Sequence, residues 1–130
     1  MTDNKNGTPK PEDVLIEALL EASARAATAV YEFGGFTLEV GEQRLLKDGM
    51  PVSLAPKEFD TLKLLVERHG RLVSRQELLD RVWAGTFVSD ETVAQRISCL
   101  RKVLARYAPA DYIETVPKRG YRFVADVTER

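Results

Sequence analysis

Val93, Ile97, Leu100 and Leu104 recur at intervals of four, three and four residues. That spacing returns to one side of a 3.6-residue turn, so it describes a helix burying a single stripe. Ser89 or Asp90 can cap its start, and it is predicted to run to about Arg106. Turning at about 100° per residue sets Glu91, Gln95, Ser98 and Lys102 near the centre of the opposite face. Thr92, Cys99 and Arg106 lie beside them, and Arg96 and Arg101 occupy the two flanks. A helix anchored by its apolar stripe, with short polar groups outside and cations at its edges, suits a DNA major groove, where the edges meet phosphates and the centre meets base edges. An ordinary surface helix has the same pattern, so the flanking elements must discriminate.

Ahead of this helix the chain reads as strands and then two more helices. Runs at residues 33–40, 43–47 and 51–54 have strand character, with Phe36, Leu38 and Val40 alternating with polar positions. Asp48-Gly49 between the second and third runs tolerates the positive backbone angles of a two-residue hairpin, so an antiparallel meander is predicted. Pro56 opens a helix bearing Phe59, Leu62, Leu65 and Val66 on one face, and Gly70 ends it. Ser74 and Glu77 read as a capping box, with Val73 and Leu78 as the staple, in front of a short helix over 75–82. Residues 83–88 break the pattern before the third helix. The chain then closes with strands at 112–116 and 121–124 joined by a turn that holds Lys118, Arg119 and Gly120.

The amino-terminal third is of a different kind. Residues 1–10 are expected to form a disordered arm. Pro11, Glu12 and Asp13 suit the start of a helix over residues 11–30, with Val14, Leu15, Ala18, Leu19, Ala22 and Ala26 at helical spacing. Its apolar face must be covered, ordinarily by its own domain and otherwise by a partner.

The net charge of the 130 residues is -1, yet residues 92–123 carry seven Lys or Arg against two Asp or Glu. A near-neutral total therefore leaves room for a polyanionic partner. The single cysteine, Cys99, excludes an intramolecular disulfide, and one His with one Cys gives no metal-ligand set. No cofactor motif or nucleophile–base set is apparent, so catalysis is not expected. Neither a secretory signal nor a membrane segment is legible in this chain, which points to the cytoplasm.

Order and spacing of several motifs then become specific. They are Leu54-Ala-Pro-Lys-Glu-Phe59 with Leu62, Leu64 and Leu65; Gly70-Arg-Leu-Val-Ser-Arg-Gln-Glu-Leu-Leu79; Val82-Trp83; Thr92-Val93 with Ile97, Leu100-Arg101-Lys102 and Leu104; and Ile113-Glu-Thr-Val-Pro-Lys-Arg-Gly-Tyr-Arg-Phe123. Over about ninety residues the chain resembles the winged helix-turn-helix DNA-binding domain of OmpR/PhoB-type transcriptional regulators.

The resemblance implies an α+β fold: a four-stranded antiparallel sheet, a three-helix core and a carboxy-terminal β-hairpin wing, filling residues 31–127 and here preceded by the extra helix. It implies double-stranded DNA as partner, read by Thr92, Gln95, Arg96, Ser98, Cys99 and Lys102 of the recognition helix. Lys118, Arg119, Tyr121 and Arg101 would hold the wing and backbone, with about five to eight phosphate contacts in all. Trp83, Gly85, Thr86 and Phe87 fall in the segment that can touch RNA polymerase in this family, although an indole such as Trp83 is better suited to the core. Residues 83–88 look closer to the CadC/ToxR-like branch, in which a membrane helix follows; none follows here. The residues before Phe36 are too few for a phosphorylatable receiver domain, so the chain is either a free-standing regulator or a piece of a longer one. Glu91, Ser98 and Cys99 depart from the cations many relatives carry, which leaves Thr92, Gln95 and Ser98 as base readers. Cys99 there fits either a small residue near DNA or a redox-sensitive thiol. A homodimer through the helix over 11–30 would replace receiver-driven pairing. The competing function is a winged-helix module that binds protein instead of DNA.

Overall fold

A computed structural model describes residues 10–130; the arm expected over residues 1–10 lies, except for Lys10, outside the described residues. The first element is α1 (Pro11–Ala27), three residues shorter than expected, because Val30 already belongs to a strand. Four strands follow, β1 (Val30–Phe33), β2 (Phe36–Glu39), β3 (Arg44–Lys47) and β4 (Met50–Val52), each antiparallel to the next. The run read as one strand over residues 33–40 is in fact the turn and second half of a hairpin: Gly34 and Gly35 bend the chain so that Phe33 pairs with Phe36. The sheet has five strands where four were expected. Its extra member, β8 (Thr128–Glu129), pairs with β1 and places the end of the chain beside the start of the sheet. Burial pushes the Tyr31 phenol above its ordinary pKa, with the charges of Glu129 and Glu67 adding to the effect.

The helical core comprises α2 (Pro56–Glu67), α3 (Arg75–Val82) and α4 (Asp90–Ala105). Glu58 accepts the Ala55 N–H at 3.0 Å, which satisfies one amide at the start of α2. Ser74 accepts the Glu77 N–H at 3.0 Å at the start of α3. The reciprocal half of the predicted capping box is absent, because the Glu77 carboxylate is engaged by Arg68. Lys57 ties α2 to α3 by donating to the Val82 carbonyl at 2.7 Å, so one cation satisfies a carbonyl at the last turn of a helix.

A second sheet has the order β5 (Leu72–Ser74), β7 (Gly120–Phe123), β6 (Ile113–Val116), and the last two form the wing. Its base is welded to the first sheet by aromatic rings. Phe33 lies 5.0 Å edge-on to Phe123, Tyr112 stacks on Phe123 at 6.1 Å, and Phe36 meets Tyr112 at 5.9 Å. Such pairs add about 0.5–1.5 kcal/mol each beyond area burial, so the wing's base moves with the body of the domain. The Gly70 N–H donates to the Phe123 carbonyl at 2.8 Å, joining the end of α2 to the same strand.

One element stands apart from this core. Val14, Leu15, Ile16, Leu19 and Leu20 on α1 are all exposed, Leu20 at 65%. The ordinary expectation, that α1 packs on its own domain, is therefore not met. No helix among the described residues is long and apolar enough to cross a membrane.

Candidate nucleic-acid interface

The stripe that defines α4 is fully buried: Val93, Ile97 and Leu100 have no exposed surface and Leu104 has 2%. Ser89 accepts the Thr92 N–H at 3.2 Å and starts the helix, as its position suggests. With the stripe locked inside, Glu91, Gln95, Ser98, Lys102 and Arg106 are exposed, and Thr92 and Cys99 are half-buried beside them. The Thr92 hydroxyl faces the Ser89 hydroxyl at 3.2 Å, so part of its hydrogen-bonding capacity is used locally.

The two flanking arginines are not free. Arg96 reaches the Glu58 carboxylate at 3.4 Å, and Glu58 is itself only 8% exposed. Arg101, expected to meet a phosphate backbone, instead donates twice to the Ile113 carbonyl, at 3.2 and 2.9 Å, and once to the Thr115 hydroxyl at 2.7 Å. The periodicity of α4 placed both residues on its flanks, but their partners lie 38 and 12 residues away in sequence. Only the folded chain brings them together.

At the wing, Val116 pairs with Gly120, so residues 117–119 form the turn. The Arg119 N–H donates to the Val116 carbonyl at 3.0 Å, and Lys118 holds φ +64°. Pro117 followed by a left-handed residue is a type II turn, whose second central position ordinarily takes glycine or asparagine. A lysine there costs on the order of 1 kcal/mol. Lys118 and Arg119 are exposed and carry no ion pair among the described residues. Tyr121, expected alongside them, is buried at 7% exposure and is a core residue. Arg122 is paired across the strands with Glu114 at 2.9 Å.

These pairings change the charge reading. Of the seven cations in residues 92–123, Arg96, Arg101 and Arg122 are engaged within the fold. Lys102, Arg106, Lys118 and Arg119 have no ion-pair partner among the described residues. Asp90 at the start of α4 is met by Arg75 at 2.9 Å, whereas Glu91 beside it has no cation within ion-pair distance among the described residues.

The segment between α3 and α4 has two faces. Trp83 is buried, 5% exposed, and belongs to the core. Gly85, Thr86 and Phe87 are exposed, Phe87 fully so, beside a shallow groove that Leu79, Trp83 and Val88 also line.

A helix-turn-helix whose second helix is flanked by a β-hairpin defines the winged-helix class. The pattern of the family described as "Transcriptional regulatory protein, C terminal" matches residues 49–123. The chain belongs to this family, in its OmpR/PhoB-type form. It is 37% identical over 93 residues to transcriptional regulator HilA of Salmonella typhi, an alignment covering 72% of this chain and 17% of HilA. The chain thus spans about a sixth of the length of that relative. Among solved structures, the DNA-binding domain of Escherichia coli CadC superimposes with a TM-score of 0.69 at 34% identity, covering 76% of this chain and 94% of that one. The Klebsiella pneumoniae RstA DNA-binding domain, in complex with RstA box, gives a TM-score of 0.63 at 32% identity, covering 73% and 96%.

Proposed function

We propose that this chain is a sequence-specific double-stranded DNA-binding domain of a transcriptional regulator acting in the cytoplasm, without catalytic activity of its own. In this reading α4 enters the major groove and the wing lies on the backbone or in the adjacent minor groove. One observation carries it: the exposed face of α4, locked outward by its buried stripe, stands beside a hairpin whose tip holds a lysine in a backbone conformation lysine disfavours. Strain retained at a tip serves contact and not folding. Gln95, Ser98 and Thr92 supply base readout, Gln95 being able to pair bidentately with adenine, and Cys99 sits among them as a small neighbour. Lys102, Lys118 and Arg119, with Arg106, supply phosphate contacts. Arg96 contributes only when it leaves Glu58. Four free cations lead us to expect a log–log salt slope of roughly -3 to -4, below the range that the raw charge count suggests.

Selection of bound fragments from random duplex DNA tests this reading. The expected result is an enriched half-site, repeated at a fixed spacing. Absence of affinity for any duplex at low salt would overturn it. The runner-up, a module that binds protein, draws on unpaired Glu91 on the reading face and predicts that outcome.

Two finer features belong to the same proposal. Phe87 and its groove form the contact surface for RNA polymerase, supported by the complete exposure of an aromatic ring in a loop. The apolar face of α1 pairs with its counterpart in a second molecule. Five large exposed apolar side chains on one helix leave several kcal/mol of burial unrealised in the monomer. Removing residues 1–27 leaves Ala29 and Val30, which belong to the core and to β1, in place. The expected result is a halved mass in solution; an unchanged mass would defeat the dimer.

A further inference from the structure

The wing is the edge of its sheet on one side: β6 pairs with β7 and with no other strand among the described residues. An edge strand has backbone groups without ladder partners. At this edge the Ile113 carbonyl takes two hydrogen bonds from Arg101, and the Thr115 side chain takes a third from the same guanidinium. Arg101 is the one α4 side chain that hydrogen-bonds the wing among the described residues; Arg96 goes to α2 instead. A planar guanidinium with fixed donors can hold two acceptors two residues apart on one strand, whereas an ammonium fixes neither direction nor plane.

We propose that Arg101 is a positioning residue for DNA binding: it clamps β6 to α4, so that the wing cations and the reading face reach a duplex together. The inference rests on the DNA-binding reading above, and it assigns Arg101 to geometry where the sequence had suggested phosphate contact. The aromatic cluster fixes the base of the wing at Phe123; Arg101 holds Ile113, which pairs with Phe123, and extends the hold two residues toward the tip through Thr115. Without the clamp the outer part of the hairpin can swing relative to α4, and ordering it on binding opposes association.

The test uses the full chain and a mixed-sequence duplex, with affinity measured across a salt series for wild type, R101K, T115V, K118A/R119A and the R101K/K118A/R119A combination. Thermal unfolding confirms that each variant folds, and T115V, which leaves the arginine and all charges intact, serves if R101K does not. Positioning predicts that R101K binds about three- to tenfold more weakly although its charge is kept, a range typical of coupling between contacting groups. T115V loses affinity in the same direction and by less. In the K118A/R119A background, R101K has little further effect, because no wing cations remain to be placed.

If Arg101 instead touches phosphate, R101K binds like wild type, T115V is silent and any residual effect adds to that of the wing variant; that result overturns the proposal. A wild type that binds no duplex removes the DNA reading and the positioning role together. A wild type that binds, with R101K equal to it, removes the positioning role alone.

Discussion

The hairpin between β3 and β4 and the hairpin between β6 and β7 face the same steric problem, and their sequences answer it in opposite ways. The first turns on Asp48 at φ +50° and Gly49 at φ +84°, residue types that accept positive angles. The second places Lys118 at φ +64°, where its Cβ is crowded, in a turn closed by the Arg119 N–H donating to the Val116 carbonyl. Its glycine, Gly120, serves another purpose: a Cβ there would lie 2.1 Å from the Val73 carbonyl oxygen, so this position lets β5 approach β7. At Gly49 an added Cβ would meet nothing within 4 Å. The scaffold turn obeys backbone preference throughout. The wing spends its glycine on packing and sets a cation where a glycine would relax the chain, which supports the proposed role of the tip in contact.

Three experiments can break or sharpen this contrast. The largest effect is expected from Gly120→Ala, which forces β5 and β7 apart; thermal or denaturant unfolding should show a loss of about 3 kcal/mol or more, against about 1 kcal/mol for Gly49→Ala. Equal losses would mean that the two glycines do the same work. Next, K118A/R119A should lower affinity for every duplex sequence about tenfold or more at physiological salt and make the salt slope shallower by about two. Sequence preference should survive, since the proposed base readout lies on α4. If the preference collapsed while the slope held, the division of labour between wing and helix would be wrong. The smallest effect is expected from Lys118→Gly, a gain of about 0.5 kcal/mol in stability as the left-handed strain is relieved, offset in part by glycine's entropy. Its duplex affinity should fall together with that gain. A variant no more stable than wild type would show that the tip holds no strain.

Much of the candidate interface was legible along the chain because its exposed and buried faces depend on local period. Val93, Ile97, Leu100 and Leu104 gave the buried stripe, and the stripe alone implies that Gln95, Ser98 and Lys102 face outward. Asp48-Gly49 marked its hairpin for the same reason. Gly34-Gly35 is an equally strong turn signal, but the regular alternation of Phe36, Leu38 and Val40 masks it in the sequence, and β1 shows itself only through its pairing with β2. β8, with two residues, has too little pattern to be read without its partner β1.

Side-chain allegiance was a different matter. A position on a helix wheel says that Arg96 and Arg101 lie at the flanks, and composition says that they are positive. Neither says that Glu58 and the β6 edge are waiting for them. Tyr121 likewise follows Lys118 and Arg119 closely in sequence, yet strand alternation turns it inward.

By itself the sequence determined the helices, the turn residues and the outward face of α4, because these follow from spacing within a few residues and from the burial of apolar stripes. The tertiary structure alone decided which cations remain free, that α1 leaves its apolar face uncovered, and that Arg101 joins the recognition helix to the wing. The physical reason is that a guanidinium chooses its partner by distance and direction in space, and those are set only when segments far apart in the chain have packed.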